Sequence, residues 1–382
     1  MRAGNQPSVG ENKKGERMST RAVTLRKWSE PCCFTACFIM TLGYAGGVFI
    51  GGNVKYLTLL AYVLFAYKIL STRYDRRSVI LSACLLTVSG FSYIGSRNDA
   101  VITNALVIIA LKDVKLNKVF KLCFMATCIA LAVNALTAFI GVGGPVCIRM
   151  DYGRGGIETR YTLGYDQPNQ FHMTVFRAML LFIVSYFNTM KWWKYLILLI
   201  LNIAVFLLSV SRTGFLCCCF IIVLGCLYQY VKINWNHNLY KVSVMVIYWG
   251  CVVLSLIGTY CYNNTVLFQQ LNKVFTGRLG IASSIMKEYT VRFTGVQYSG
   301  MAFDQGVVHL LLEWGILLFA VYQIGVFVLL YKSLKNGSKM IPLIILSYSI
   351  YGMFEYNILQ KVFRNYCLVL VPILLYNEEY LE

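Results

Sequence analysis

Of 382 residues, 58% are hydrophobic and 13% are charged, against roughly 45–50% and about 25% in soluble domains, which excludes a water-soluble globule. The formal charge of +19 does not point to nucleic acid, because the basic residues punctuate apolar runs and form no soluble patch. Continuous apolar runs such as 195–211 exclude a membrane barrel, whose strands alternate over about 10 residues. The fold class is an all-α polytopic membrane protein.

Residues 1–31 are polar and basic, lack the apolar stretch of a signal peptide, and read as a disordered cytoplasmic arm. Residues 32–382 read as a single transmembrane helical domain. At about 20 residues per span, candidate spans fall at 33–52, 55–71, 78–95, 99–111, 119–142, 171–189, 194–211, 213–231, 241–260, 305–331, 340–357 and 362–377, about twelve in all. Basic residues collect in alternate short connections: Arg73, Arg76 and Arg77; Lys112, Lys115, Lys118 and Lys121; Lys191 and Lys194; Lys232 and Lys241; Lys332, Lys335 and Lys339. The opposite turns hold one each, Lys55, Arg97 and Arg212. Positive residues stay inside, so both termini are expected in the cytoplasm. The pair Trp192-Trp193 between two lysines fits an anchor at the inner interface. The 14 cysteines sit mostly within apolar runs, with no CxxC and no metal-ligand spacing. Cys147 and Cys261 fall in predicted outer loops and could pair.

Two segments break the short-loop pattern, 143–170 and 261–304, and both are expected outside. Loops longer than about 12–15 residues are commonly functional. The first carries Arg149, Arg154 and Arg160 among glycines, with Glu158 and then Tyr165-Asp166-Gln167-Pro168-Asn169. Guanidinium forks suit phosphate oxygens, although a solvated loop near anionic headgroups explains the same arginines. Arg177 lies about two turns into an apolar span and should face a polar interior or snorkel to the interface. Arg212 sits in the turn Ser211-Arg212-Thr213-Gly214 between two uncharged spans. The second loop holds Thr276-Gly277-Arg278 and ends on Asp304-Gln305. Gln305, His309 and Glu313, spaced by four, make one polar stripe on an apolar helix. Asp304 is a candidate base or a helix cap. Glu355, at the end of the span 340–357, is a further acidic candidate with no evident partner. No triad order, Walker loop, GxGxxG or metal cluster appears, so no cofactor, metal or nucleotide is expected.

The order of these motifs resembles the O-antigen ligase and Wzy-type O-antigen/capsule polymerase family, over roughly residues 160–360. Gly164 to Asn169, Ser211-Arg212-Thr213-Gly214, Thr276-Gly277-Arg278, Asp304-Gln305 and Glu313-x-Gly315 carry the resemblance. It implies a glycosyltransferase in the bacterial inner membrane, acting on undecaprenyl-pyrophosphate-linked oligosaccharide as donor and acceptor. A chain-length regulator and a separate flippase are the partners such a system would supply. Arg212 and Arg278, with Arg160, map to residues that hold the pyrophosphate; Asn169, Arg177, His309 and Glu313 are the further binding candidates. Ligases carry His-Asn where this chain has Asp304-Gln305, and polymerases often Asp-Asn, so Asp304 favours a polymerase while Gln305 departs from both. A carboxylate there can act as general base, and fixed cations can stabilise a leaving pyrophosphate without a metal. A flippase for the same lipid-linked sugars is the alternative. It should show internal repeats and a polar path at mid-membrane; a noncatalytic scaffold leaves Arg177 and the polar stripe unexplained.

Overall fold

The computed structural model describes residues 28–52, 54–151, 156–231, 238–274, 276–300 and 303–376. Helix α1 covers 28–45, followed by α2 (Val48–Gly51), α3 (Val54–Ser71), α4 (Arg76–Ser96), α5 (Asp99–Ala110) and α6 (Leu116–Ile140). A hairpin of β1 (Cys147–Asp151) and β2 (Ile157–Tyr161) precedes α7 (Pro168–Ser185), α8 (Trp192–Ser209), α9 (Arg212–Tyr230) and α10 (Asn238–Tyr260). Then come α11 (Val266–Val274), α12 (Arg278–Glu288), α13 (Gly306–Lys335), α14 (Met340–Gly352) and α15 (Tyr366–Tyr376). Of the basic arm expected over 1–31, only 28–31 lie within the described residues, and these are helical. Cys147 and Cys261 are both free.

Each candidate span falls on a helix, and the polytopic membrane class stands. Among the described residues, however, seven helices are long and apolar enough to cross a membrane: α3, α4, α6, α8, α9, α10 and α13. The figure of about twelve is not reached. Helices α5, α14 and α15 have only 12, 13 and 11 residues, short of the roughly 20 that a span needs. Helix α7 has 18 residues but carries Asn169, Gln170, His172 and Arg177. The burial pattern supplies the reason. Helices α5, α7 and α14 are buried along nearly their whole length, whereas α3 and α4 leave most of their surface uncovered. A helix wrapped by protein does not have to match the lipid in length or polarity.

Helix α4 shows how the outer shell packs. Asp75 starts it by accepting from the Arg77 and Ser78 amides at 3.2 and 3.3 Å, a good N-cap. Ser78, Ser82, Ser89, Ser92 and Ser96 share its buried face, while Val79, Ile80, Phe91 and Ile94 point outward. Small residues let neighbouring backbones approach closely in lipid, and Ser92 Oγ donates to the Trp314 carbonyl of α13 at 2.8 Å. This reverses the amphipathic order of a soluble helix. Trp192 and Trp193 are exposed at the start of α8.

The segment 305–331 is not one uninterrupted span. Gly315 breaks α13 with φ 76° and ψ 169°, a left-handed φ that favours glycine. The backbone of 292–296 fills the gap: Ile316 N donates to Arg292 O at 3.1 Å, Leu317 N to Phe293 O at 3.3 Å, and Val296 N to Leu312 O at 3.0 Å. A Cβ on Gly315 would overlap Gly295 N, and one on Gly295 would overlap the Glu313 carbonyl. The two glycines are therefore required by one close crossing of backbones. The second predicted loop is largely ordered by this crossing and by α11 and α12.

Candidate functional site

Arg278 is positioned by a tight reversal between α11 and α12. Thr276 and Gly277 both have positive φ, 51° and 85°, which turns the chain back on itself. Asn272 of α11 caps α12 by accepting from Leu279 N at 3.0 Å and Gly280 N at 3.2 Å. Arg278 thereby stands at the first position of α12, where the helix dipole disfavours a cation. Its partners offset this. Nη1 donates to Thr276 Oγ1 at 2.6 Å, and Nη2 reaches Glu355 Oε1 at 3.1 Å and Asp304 Oδ2 at 3.5 Å.

Glu355 lies in the loop 353–365 that joins α14 to α15. It also accepts from Asn169 Nδ2 at 3.3 Å, placed there by the first turn of α7, which Pro168 opens. Gly306 brings the two carboxylates together: a Cβ there would meet the carbonyls of Gly352 and Glu355 at 2.5 and 2.8 Å. The start of α13, and Asp304 with it, can press against the loop only because that atom is missing. The carboxylates differ in exposure. Glu355 is buried, while the Asp304 side chain is half exposed at 49%. Burial, then repulsion from Asp304, pushes the Glu355 carboxyl up to about 8 against the pull of Arg278. Burial also raises Asp304, opposed by Arg278 and His309. One guanidinium does not neutralise two carboxylates, so the pair favours a proton on the buried one, Glu355. Asp304 makes no capping bond; Gln305 holds the cap position of α13.

The polar stripe forms as an internal contact. His309 Nε2 lies 3.5 Å from Glu313 Oε1, and Nδ1 lies 3.2 Å from the Phe303 carbonyl. The imidazole is stacked between Phe303 and Tyr356, with ring centres 4.4 and 3.4 Å away. Glu313 accepts from Asn98 Nδ2 at 2.9 Å and from the Tyr356 hydroxyl. These bonds tie the α4–α5 turn, α13 and the loop 353–365 into one end of the bundle. Both polar atoms of the fully buried Gln305 side chain lack a partner.

The remaining candidates are dispersed. Arg177 is 3% exposed, inside the bundle and away from its lipid face; Nη2 donates to Thr174 Oγ1 at 2.8 Å, and Nε has no partner. Arg160 is held within the hairpin, where its Nε donates to Glu158 Oε2 at 2.9 Å. Arg212 begins α9 with its side chain exposed. Arg154 lies outside the described residues. The structure thus joins Arg278, Asp304 and Asn169, pairs His309 with Glu313, and adds Glu355, whose partners are 77 and 186 positions away in sequence. Its only sequence signal was an acidic side chain at the end of an apolar run. Among the described residues, no group of three or more His, Cys, Asp or Glu could hold a metal ion. No family model matches the chain, and no curated protein or solved structure is detectably similar to it.

Proposed function

We propose that the chain is a lipid-linked oligosaccharide polymerase of the Wzy type, at the outer face of a bacterial cytoplasmic membrane. The observation that carries this reading is Arg278 held between a buried and a half-exposed carboxylate, Glu355 and Asp304. In the reaction, an acceptor sugar hydroxyl attacks the donor's anomeric carbon. The bond from that carbon to the pyrophosphate oxygen breaks, and the electron pair leaves with the lipid pyrophosphate. Asp304 takes the hydroxyl proton, while Arg278 stabilises the charge on the leaving group. Asn169 holds Glu355, and His309 and Glu313 brace the start of α13, which carries Asp304, through Phe303, Asn98 and Tyr356. On this reading the chain crosses the membrane about twelve times with both termini inside, the short buried helices completing the count within the bundle.

The second reading, a transporter of the same lipid-linked sugars, draws support from the break in α13 at Gly315, since interrupted helices at polar sites recur in transporters. Surface glycans from cells that lack the gene separate the two. Single repeat units in place of a ladder support the polymerase. Absence of all surface glycan, with lipid-linked units retained inside, supports the transporter. An unchanged ladder rejects both.

A further inference from the structure

The loop 353–365 carries a second set of charges that the proposed reaction leaves unused. Lys361 Nζ and the Arg364 guanidinium both lie over the ring of Tyr44, 5.3 and 5.6 Å from its centre. An aromatic face attracts cations, yet it supplies no negative charge to two of them. Arg177, buried on α7, is the third cation, and its field reaches Arg364. Burial first and Arg177 second lower the Arg364 guanidinium to about 10. Burial first and then Arg364 lower the Lys361 ammonium, against weaker attraction from Asp99 and Glu313. Among the described residues, none of the three cations forms an ion pair. Glu313 is already engaged by Asn98, Tyr356 and His309. The Nε atoms of Arg177 and Arg364 are both buried without a partner.

This crowding is imposed by the fold. Asn104 of α5 grips the loop at two points, donating to Gln360 O at 2.9 Å and accepting from Val362 N at 2.8 Å. Asn365 grips it again: its Nδ2 donates to Leu359 O at 3.1 Å and to the Tyr322 hydroxyl at 2.9 Å, and its Oδ1 accepts from Cys367 N at 3.0 Å. Phe363 between the two cations is held at φ 63°. Buried unpaired charge is costly, and a chain free to relax would swing these side chains to water. Lys361 and Arg364 remain partly exposed, so a ligand can reach them.

We propose that Lys361 and Arg364, which converge on the ring of Tyr44, form a second anion site, which takes a phosphate or diphosphate group. Two adjacent cations call for an anion of more than one charge, and the Arg364 guanidinium fork matches phosphate oxygens bidentately. The site stands on this charge imbalance and does not depend on the polymerase reading. A chain that joins two lipid-linked diphosphates would nonetheless need a second place to hold one.

The test uses the full chain, purified in detergent, with inorganic pyrophosphate and farnesyl diphosphate as probes. Lysine acetylation followed by peptide mass spectrometry reads Lys361 in the unaltered protein. At ten times the dissociation constant, the probe should slow acetylation of Lys361 about tenfold by mass action and leave Lys335 unaffected. Arg364→Gln should weaken binding roughly ten- to hundredfold, the cost of one charged hydrogen bond, while Lys335→Gln should not. Protection by both probes assigns the site to the diphosphate group itself; protection by farnesyl diphosphate alone assigns it to a lipid-borne one. Equal acetylation of Lys361 with and without either probe would overturn the proposal, as would unchanged protection in Arg364→Gln. The glycan ladder is read separately, so the failure of one reading is visible without the other.

Discussion

Replacing Glu355 by Gln tests whether burial beside Asp304 keeps a proton on the Glu355 carboxyl. Glu355 is 6% exposed, and its carboxyl is pushed from an ordinary 4.5 to about 8 by burial and by Asp304. The folded chain therefore holds this proton more tightly than the unfolded chain does. For a raised acid, the stability contribution is fully present below about pH 4.5 and is lost as pH climbs through 8. At about 1.4 kcal/mol for each pH unit between those values, the loss is on the order of 5 kcal/mol. Gln keeps the shape of the protonated acid and an oxygen for Arg278 Nη2, but it cannot ionise. Asp304 is also raised and contributes a slope of the same sign in both proteins, so their difference reports Glu355 together with its coupling to Asp304. The assay is thermal unfolding in detergent from about pH 5 to 9, followed by loss of helical circular dichroism. The midpoint of the unaltered protein should fall relative to that of the variant up to about pH 8 and run parallel above it. Parallel curves over the whole range would show that Glu355 ionises as it does in water, and would refute the buried proton.

Asp304→Asn should lower polymer formation by about 10²–10⁴ with normal protein in the membrane fraction; a normal glycan ladder would remove Asp304 from the chemistry. Arg278→Lys should yield less polymer than the unaltered chain, because one ammonium cannot span Thr276, Glu355 and Asp304 as the guanidinium does. Equal polymer amounts would show that the site needs only the positive charge of Arg278 and not its fork. Gly315→Ala should destabilise the chain by about 1–3 kcal/mol through its left-handed backbone and the overlap with Gly295, and an unchanged melting midpoint would contradict the crossing. Cysteines introduced singly at Asp166 and Gln297 should react with an impermeant thiol reagent in whole cells, and protection of both would reject the topology.

The helices were legible because lipid demands long apolar runs, and the basic residues mark where those runs end. The break in α13 was not, since one glycine costs a helix only about 1 kcal/mol and leaves the apolar pattern intact on both sides. The hairpin leaves only a trace, the alternation of Cys147-Ile148-Arg149-Met150-Asp151, because its residues are mostly exposed and its arginines and glycines are equally those of a solvated loop. Arg278 and Asp304 stood out as charged residues beside apolar helices. Glu355 did not, because its role depends on Arg278 and Asn169, which the fold alone brings near. Lys361 and Arg364 look like ordinary basic residues next to a span, and only their convergence on Tyr44 and the grip of Asn104 and Asn365 mark them out.

The backbone crossing at Gly315 bears on which part of the second long loop can move. Amides of Ile316 and Leu317 find their acceptors on the strip 292–293, so lifting that strip would leave two N–H groups of α13 without their acceptors. The strip therefore works as a fixed wall. The amide protons of Ile316, Leu317 and Val296, which donate across the crossing, should exchange as slowly as those of the bundle, so that the second long loop moves, if at all, on either side of this point and not at it.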